Sequence, residues 1–310
     1  MVVGSGVGIV NARSTTVVLI VILLGGCSLK SRAVDTLAEV LGEAESVYLS
    51  DEDPELIAEA LPFNLKTMET LLESNPNHRG LLLTAAKSFI LYTYAFVEPK
   101  ARQLDYTEFD EAEAIRLRAA RLYRRAYRYG LDGLSIDHPE IGARLSVSPE
   151  QAAADLTLED VPFTVWTAAA LGGVIGVTKD DPESTADIAV VGAMLERALA
   201  LDEDFDNGTI HEFMFAYEAG RVGGDLDKAR RHYERALALG PGKRPSIWLS
   251  WAENVSVVEQ DRSEFLALVD QALAFDVSAH PENRLLNILA QRRARWLQDT
   301  VDELFLESGI

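Results

Sequence analysis

The chain has 310 residues, with 49 acidic side chains against 29 Lys and Arg, a formal net charge of −20 and a pI near 4.6. Nucleic acid is held by neutralising its phosphates with Lys and Arg, so this balance excludes it as a general partner, and it also argues against electrostatic adhesion to anionic lipid. The single cysteine excludes a disulfide within the chain, whereas 48% apolar residues suffice for a packed core, in one elongated array or two compact domains.

Residues 1–26 read as a secretory signal rather than a fold element. A weakly basic stretch carrying Arg13 leads into an apolar run from Thr15 to Leu24, which Gly25 and Gly26 then break. The run is too short for a lasting membrane span, which needs about 20 apolar residues. The junction Leu24-Gly25-Gly26-Cys27-Ser28 resembles the lipobox of bacterial lipoproteins, which implies cleavage before Cys27 and a diacylglyceryl group on its thiol. Two or more acyl chains make a stable anchor, since each buried CH₂ contributes about 0.8 kcal/mol. Ser28 after the lipidated position resembles the signal that sends Gram-negative lipoproteins to the outer membrane, facing the periplasm. Residues 27–45 then form the lipidated tether, and 46–310 the body.

From Val34 onward the sequence reads as helix after helix, and strand signatures are nearly absent. Asp53-Pro54, Asp181-Pro182 and His280-Pro281 each place a proline at a first helical position, where its missing N–H costs nothing. Each is expected to open a helix. Val161 to Val177 has no charged residue over 17 positions; Pro162, its threonines and its three glycines suit a helix buried on all sides better than a membrane span. In the last long helix Leu286, Leu289, Ala290, Ala294, Leu297, Val301, Leu304 and Phe305 predict one continuous buried stripe, with Arg292, Arg293 and Arg295 as a solvated flank.

An internal echo organises the second half. ERALALD from Glu196, ERALALG from Glu234 and DQALAFD from Asp270 begin 38 and 36 residues apart, and a fainter copy, RRAYRYG, starts at Arg124. A period near 34 residues with paired helices marks arrays of tetratricopeptide (TPR) type, whose hairpins must stack to bury their apolar faces. Ala229, Tyr233, Ala236 and Pro241 fit the second helix of such a unit; Phe213, Ala216, Tyr217 and Gly220 fit the first poorly. The expected fold is therefore all-α, with degenerate TPR-like hairpins in a curved α-solenoid.

Several segments resemble the TatT family, the TPR-like lipoprotein accessory components of TRAP transporters. They are NPNHRGLLL from Asn75, VPFTVWTAAA from Val161 ending in KDDP at Lys179, GGDLDKARRHYERAL from Gly223, EQDRSEF from Glu259 and PENRLLNILAQRRARWL from Pro281. They run in consistent order over nearly the whole mature chain. The resemblance implies a periplasmic helical protein, trimeric, that docks a TRAP-type solute-binding protein and offers a cleft or channel to a small apolar or organic-acid ligand.

Chemical motifs are near misses. His211-Glu212 begins like a zinc-protease helix, but the second histidine is replaced by Phe215, and His211 reads as a hydrogen-bonded helix residue. Asp202, Asp204 and Asp206 alternate like a calcium loop, yet Asn207 stands where glycine is needed and Glu212 falls one residue short; an acidic turn with Asn207 and Gly208 in left-handed angles fits better. The glycines at 172, 173 and 176 follow no strand, and no Gly-x-Ser-x-Gly elbow occurs. No cofactor, metal or enzymatic activity is expected. The aromatic residues Phe163, Trp166, Trp248 and Trp251 are the candidate ligand-binding residues, against an alternative as inter-helix core. Two roles fit this reading: an accessory to solute uptake, or a lipid-anchored scaffold for assembly of envelope proteins.

Overall fold

A computed structural model describes residues 36–306 apart from 39, 43, 105–107, 180 and 241. The leader, Cys27 and Pro241 lie outside the described residues. All regular structure among the described residues is helical, which establishes the all-α class. The chain opens with helical residues 36–38, 40–42 and 44–50; Ala38 is buried in the main core, and Glu45 pairs with Lys87 at 2.6 Å.

Asp53 caps α1 (Pro54–Ser74), its carboxylate accepting the Leu56 N–H at 3.0 Å beside the proline at the first turn. The ring nitrogen of His78 does the same for α2 (Arg79–Tyr92), accepting from Leu81. After α2 comes a π-helical turn, Thr93–Val97, then α3 (Glu98–Leu104) and the long α4 (Phe109–Ser135). Two short helices, α5 (Ile141–Val147) and α6 (Pro149–Ala154), lead to α7 (Val161–Val177). The second half holds α8 (Pro182–Ala186), α9 (Ile188–Leu201), α10 (Thr209–Gly220), α11 (Leu226–Leu239) and α12 (Ser246–Trp251). A second π-helical turn, Ala252–Ser256, precedes α13 (Arg262–Leu273), α14 (Arg284–Asp299) and α15 (Val301–Leu304).

The main core gathers α2, α4, α7 and α9. Because α7 is apolar on every face, it has to be surrounded, and α2, α4 and α9 surround it. Arg79–Leu104 and Leu158–Val177 are long and apolar enough to cross a membrane, but both contribute to this core. Helices α4 and α7 approach closely through Gly130 and Gly133: a Cβ on the first would collide with Thr167, and on the second with the Phe163 ring. A second core joins α12, α13 and α14. Sequential pairs pack together as α1 with α2, α10 with α11, and α13 with α14. Ala229 and Ala236 are buried where α11 meets its neighbours, and the Tyr233 ring meets Trp251 at a tilt of 44° with centroids 4.6 Å apart.

Two expectations need correction. Pro54 and Pro182 open α-helices, but Pro281 opens a 3₁₀ turn, Pro281–Asn283, that leads into α14. The final apolar stripe is broken at Thr300, after which Phe305 turns out of the helix to meet Phe265 at 5.2 Å. The last long helix also returns to the first: Leu285 packs on Ile57 and Leu61, and Arg292 pairs with Glu55.

Candidate functional site

The return of α14 toward the amino-terminal helices creates a charged cluster that the linear pattern hides. Each π turn carries one residue more per turn than an α-helix, which rotates the side chains that follow; such insertions gather at functional sites. Here both π turns serve one network. Tyr94 belongs to the first turn, Glu98 follows it immediately, and Glu253 belongs to the second.

The links run in sequence. The Tyr123 hydroxyl donates to Glu98 at 2.8 Å, and Arg102 donates to the other oxygen of Glu98 at 2.5 Å. Arg102 also faces Glu253 at 3.6 Å; Glu253 is bound by Arg293, whose guanidinium donates to the Tyr94 hydroxyl at 3.3 Å. The four charged side chains retain between 18% and 29% of their surface open, so water reaches the cluster. The two arginines differ. Burial works against Arg102, but Glu98, together with Tyr94 and Tyr123, more than offsets it and raises its pKa. Burial, and then the like charge of Arg102, bring Arg293 down to about 10. The Nε of Arg293 is buried without a hydrogen-bond partner. Burial and the Glu98 carboxylate hold the Tyr123 hydroxyl well above its ordinary value, so it stays a proton donor. The cluster therefore holds two positive and two negative charges, with guanidinium N–H groups left over.

Arg293 was expected on a solvated flank. Arg295 is exposed and Arg292 makes a surface ion pair, but Arg293 points inward. The readable signal was an arginine adjacent to the apolar stripe, together with Glu98 and Arg102 one helical turn apart.

The four aromatic candidates occupy different surroundings. Phe163 is 2% exposed, wedged against Gly133 with the Arg79 guanidinium 5.1 Å from its ring centre. Trp251 is 3% exposed, stacked on Phe215 at 5.7 Å, and donates its indole N–H to Glu264 at 3.1 Å. Trp166 and Trp248 are half-buried: the first meets Phe213 edge-on at 5.9 Å beneath Lys87, the second meets Phe275 at 6.1 Å. No ring contact among the described residues joins Phe163 or Trp166 to Trp248 or Trp251.

The near-miss motifs are occupied by protein groups. Asp206, Asn207 and Gly208 have φ of 45°, 54° and 92°, as the turn reading requires for Asn207 and Gly208. Arg244 donates to the Asn207 carbonyl at 3.1 Å and Lys243 to the Asn207 side chain at 2.8 Å. Among the described residues no three His, Cys, Asp or Glu lie at metal-binding distances. His211 is buried and its Nδ1 lies 2.8 Å from Nδ1 of His232, a partner that sequence spacing did not reveal.

Two of the segments that carried the family resemblance, those from Asn75 and Val161, meet in space. Arg79 binds Asp160 at 2.9 Å, directly before α7, and Asp160 also accepts from His138 at 2.8 Å and from the Thr157 N–H and hydroxyl. Although burial opposes it, these donors hold the Asp160 carboxyl down to about 2. In the second half, buried Glu218 accepts from Arg221 at 2.6 Å and from the Asp225 N–H at 3.1 Å, fixing the entry to α11.

Fold and site thus define an all-helical protein with a charged cluster where its ends meet. Residues 50–305 match the family of the TRAP transporter T-component, and the chain belongs to that family. It is also 30% identical over 307 residues to an uncharacterized protein of Treponema pallidum (strain Nichols), covering 92% of this chain and 95% of that protein. Its role accordingly lies in TRAP transport, in association with the cell envelope, as a member of a family of transport components.

Proposed function

We propose that the chain is a periplasmic lipoprotein, held through Cys27 in the outer membrane, that docks a TRAP-type solute-binding protein and receives a small apolar or organic-acid ligand. Its mechanism is recognition, with no bond made or broken. The observation that carries this reading is family membership over residues 50–305. The site supports it: a ligand carboxylate placed beside Arg102 and Arg293 would use donors that Glu98 and Glu253 leave unspent. The half-buried Trp166 and Trp248 would meet an apolar part of the ligand, while the buried Phe163 and Trp251 would support the helices that carry them. In this reading the helical pairs form a curved TPR-like array, and three copies assemble.

The test is light scattering on the soluble fragment beginning after Cys27, alone and co-expressed with the TRAP solute-binding protein. The expected result is a trimer that takes up equal copies of the binding protein. A monomer that ignores it would overturn the proposal and favour the scaffold role.

A further inference from the structure

The arginines of α4 form a surface that neither the internal cluster nor the aromatic residues use. Residues 114–131 contain six arginines and no acid, in a chain whose net charge is −20. Arg118, Arg121, Arg125 and Arg128 recur at three- and four-residue intervals, so they line one face of α4 over about 15 Å. With Arg124 and Leu122 they border a shallow groove of about 500 Å³. All five arginines are exposed.

Aromatic rings hold three of them in place. Arg118 lies 5.8 Å from the Tyr92 ring centre, Arg125 5.9 Å from Phe89 and Arg128 5.1 Å from Tyr129. Contact with a ring restrains a guanidinium, which lowers the entropy lost when an oxyanion binds, and Arg118 is tied further by donating to the Tyr92 hydroxyl at 3.1 Å. Among Arg118, Arg121, Arg125 and Arg128, acids act at two points: Asp132 on Arg128 and Glu69 on Arg125. Glu69 lies 3.4 Å from Arg125, but it is shared with Lys66 and with the Tyr129 hydroxyl. Arg121 has no ion pair among the described residues.

We propose that this face docks an acidic segment of a partner protein, with carboxylates forked onto the arginines and an apolar side chain on Leu122. Charge complementarity favours a segment over a lipid surface. An anionic bilayer is a plane that would also meet the acidic remainder of the chain, whereas a short segment feels only charges within a Debye length of about 8 Å. The proposal stands whether or not the chain takes a small ligand.

The test uses fluorescence anisotropy of a labelled twelve-residue peptide of alternating Glu and Ala with the soluble protein. Wild type is compared with R121E/R125E, with the milder R121Q/R125Q, and with R231E/R262E as a control of equal charge change. Circular dichroism checks that each variant is folded. Expected are binding that weakens as salt rises from about 0.02 M to about 0.3 M, a loss of about tenfold or more in R121E/R125E, a smaller loss in R121Q/R125Q, and a change within about twofold in the control. Equal losses in R121E/R125E and the control would overturn the proposal, because total charge would then explain the binding. It would also be overturned if phosphatidylglycerol vesicles bound wild type through these arginines while the peptide did not.

Discussion

Two seams of the molecule are closed by opposite means. Along α4 and α7 there is no charge between the helices; Gly130 and Gly133 remove side chains so that Thr167 and Phe163 can occupy the space. Where the ends of the chain meet, Arg293 and Glu253 of the carboxyl-terminal half face Tyr94, Glu98 and Arg102 of the amino-terminal half. The first seam depends on shape and should ignore salt and mild acid. The second depends on each half supplying charges that are costly to bury alone, so it specifies how the ends meet more than it stabilises them.

The largest effect is expected at the apolar seam. Gly133→Leu would drive a side chain into the Phe163 ring and should cost about 3 kcal/mol or prevent folding. An unchanged urea midpoint would mean that α4 and α7 lie farther apart than described. At the ionic seam, Glu253→Ala leaves Arg293 without its carboxylate and should cost about 2 kcal/mol, reduced from the fully buried case because water reaches the site. The double change Glu253→Leu with Arg293→Met should recover most of that loss in the same urea experiment. A double variant no better than Glu253→Ala would show that these charges do not oppose one another across the seam.

A smaller effect separates α10 from α11. The Nδ1 atoms of His211 and His232 are 2.8 Å apart, so one must donate and the other accept, and two imidazolium ions cannot share the contact. Burial, then the His211 ring, bring His232 down to about 4, and burial also lowers His211. An unfolded histidine takes its proton near pH 6.5, at about the ordinary value. The unfolded state therefore binds more protons between those values, and stability falls as pH drops from about 6.5 to about 4. Allowing for the partial exposure of His232, the loss should be about 1–2 kcal/mol, and His232→Gln should flatten that part of the stability profile. An identical profile in the variant would place the acid sensitivity elsewhere. The smallest effect is at the surface edge of the ionic seam: Glu55→Gln should leave the melting midpoint unmoved at physiological salt, because its pair with Arg292 is open to water. A clear drop would mean that this pair, rather than Ile57, Leu61 and Leu285, holds α14 on α1.

What could be read from the sequence was what repeats or punctuates. Helical period, prolines after Asp, and the small residues Ala229 and Ala236 act locally, and each was found where expected. The left-handed Asn207-Gly208 turn was legible for the same reason. Contacts between distant helices leave no such mark. Arg293 meets Tyr94 across 199 positions, and nothing in either neighbourhood names the other. The π turns are equally silent, since an extra residue in a helix changes phase without changing composition. Arg79 and Asp160 lay in two of the segments that carried the family resemblance or adjoined it, yet only the fold shows that they bind each other.

The two π turns also say which accidents of inheritance this protein could survive. Each residue added to a helix rotates everything after it by about 100°. Replacing a side chain within Thr93–Val97 alters one contact, but deleting one residue there would restore ordinary helical phase and swing Glu98 and Arg102 away from Glu253 and Arg293. Among descendants of this gene, the length of the turn should therefore be kept more strictly than the identity of its side chains. For this site, the count of residues is the inherited instruction.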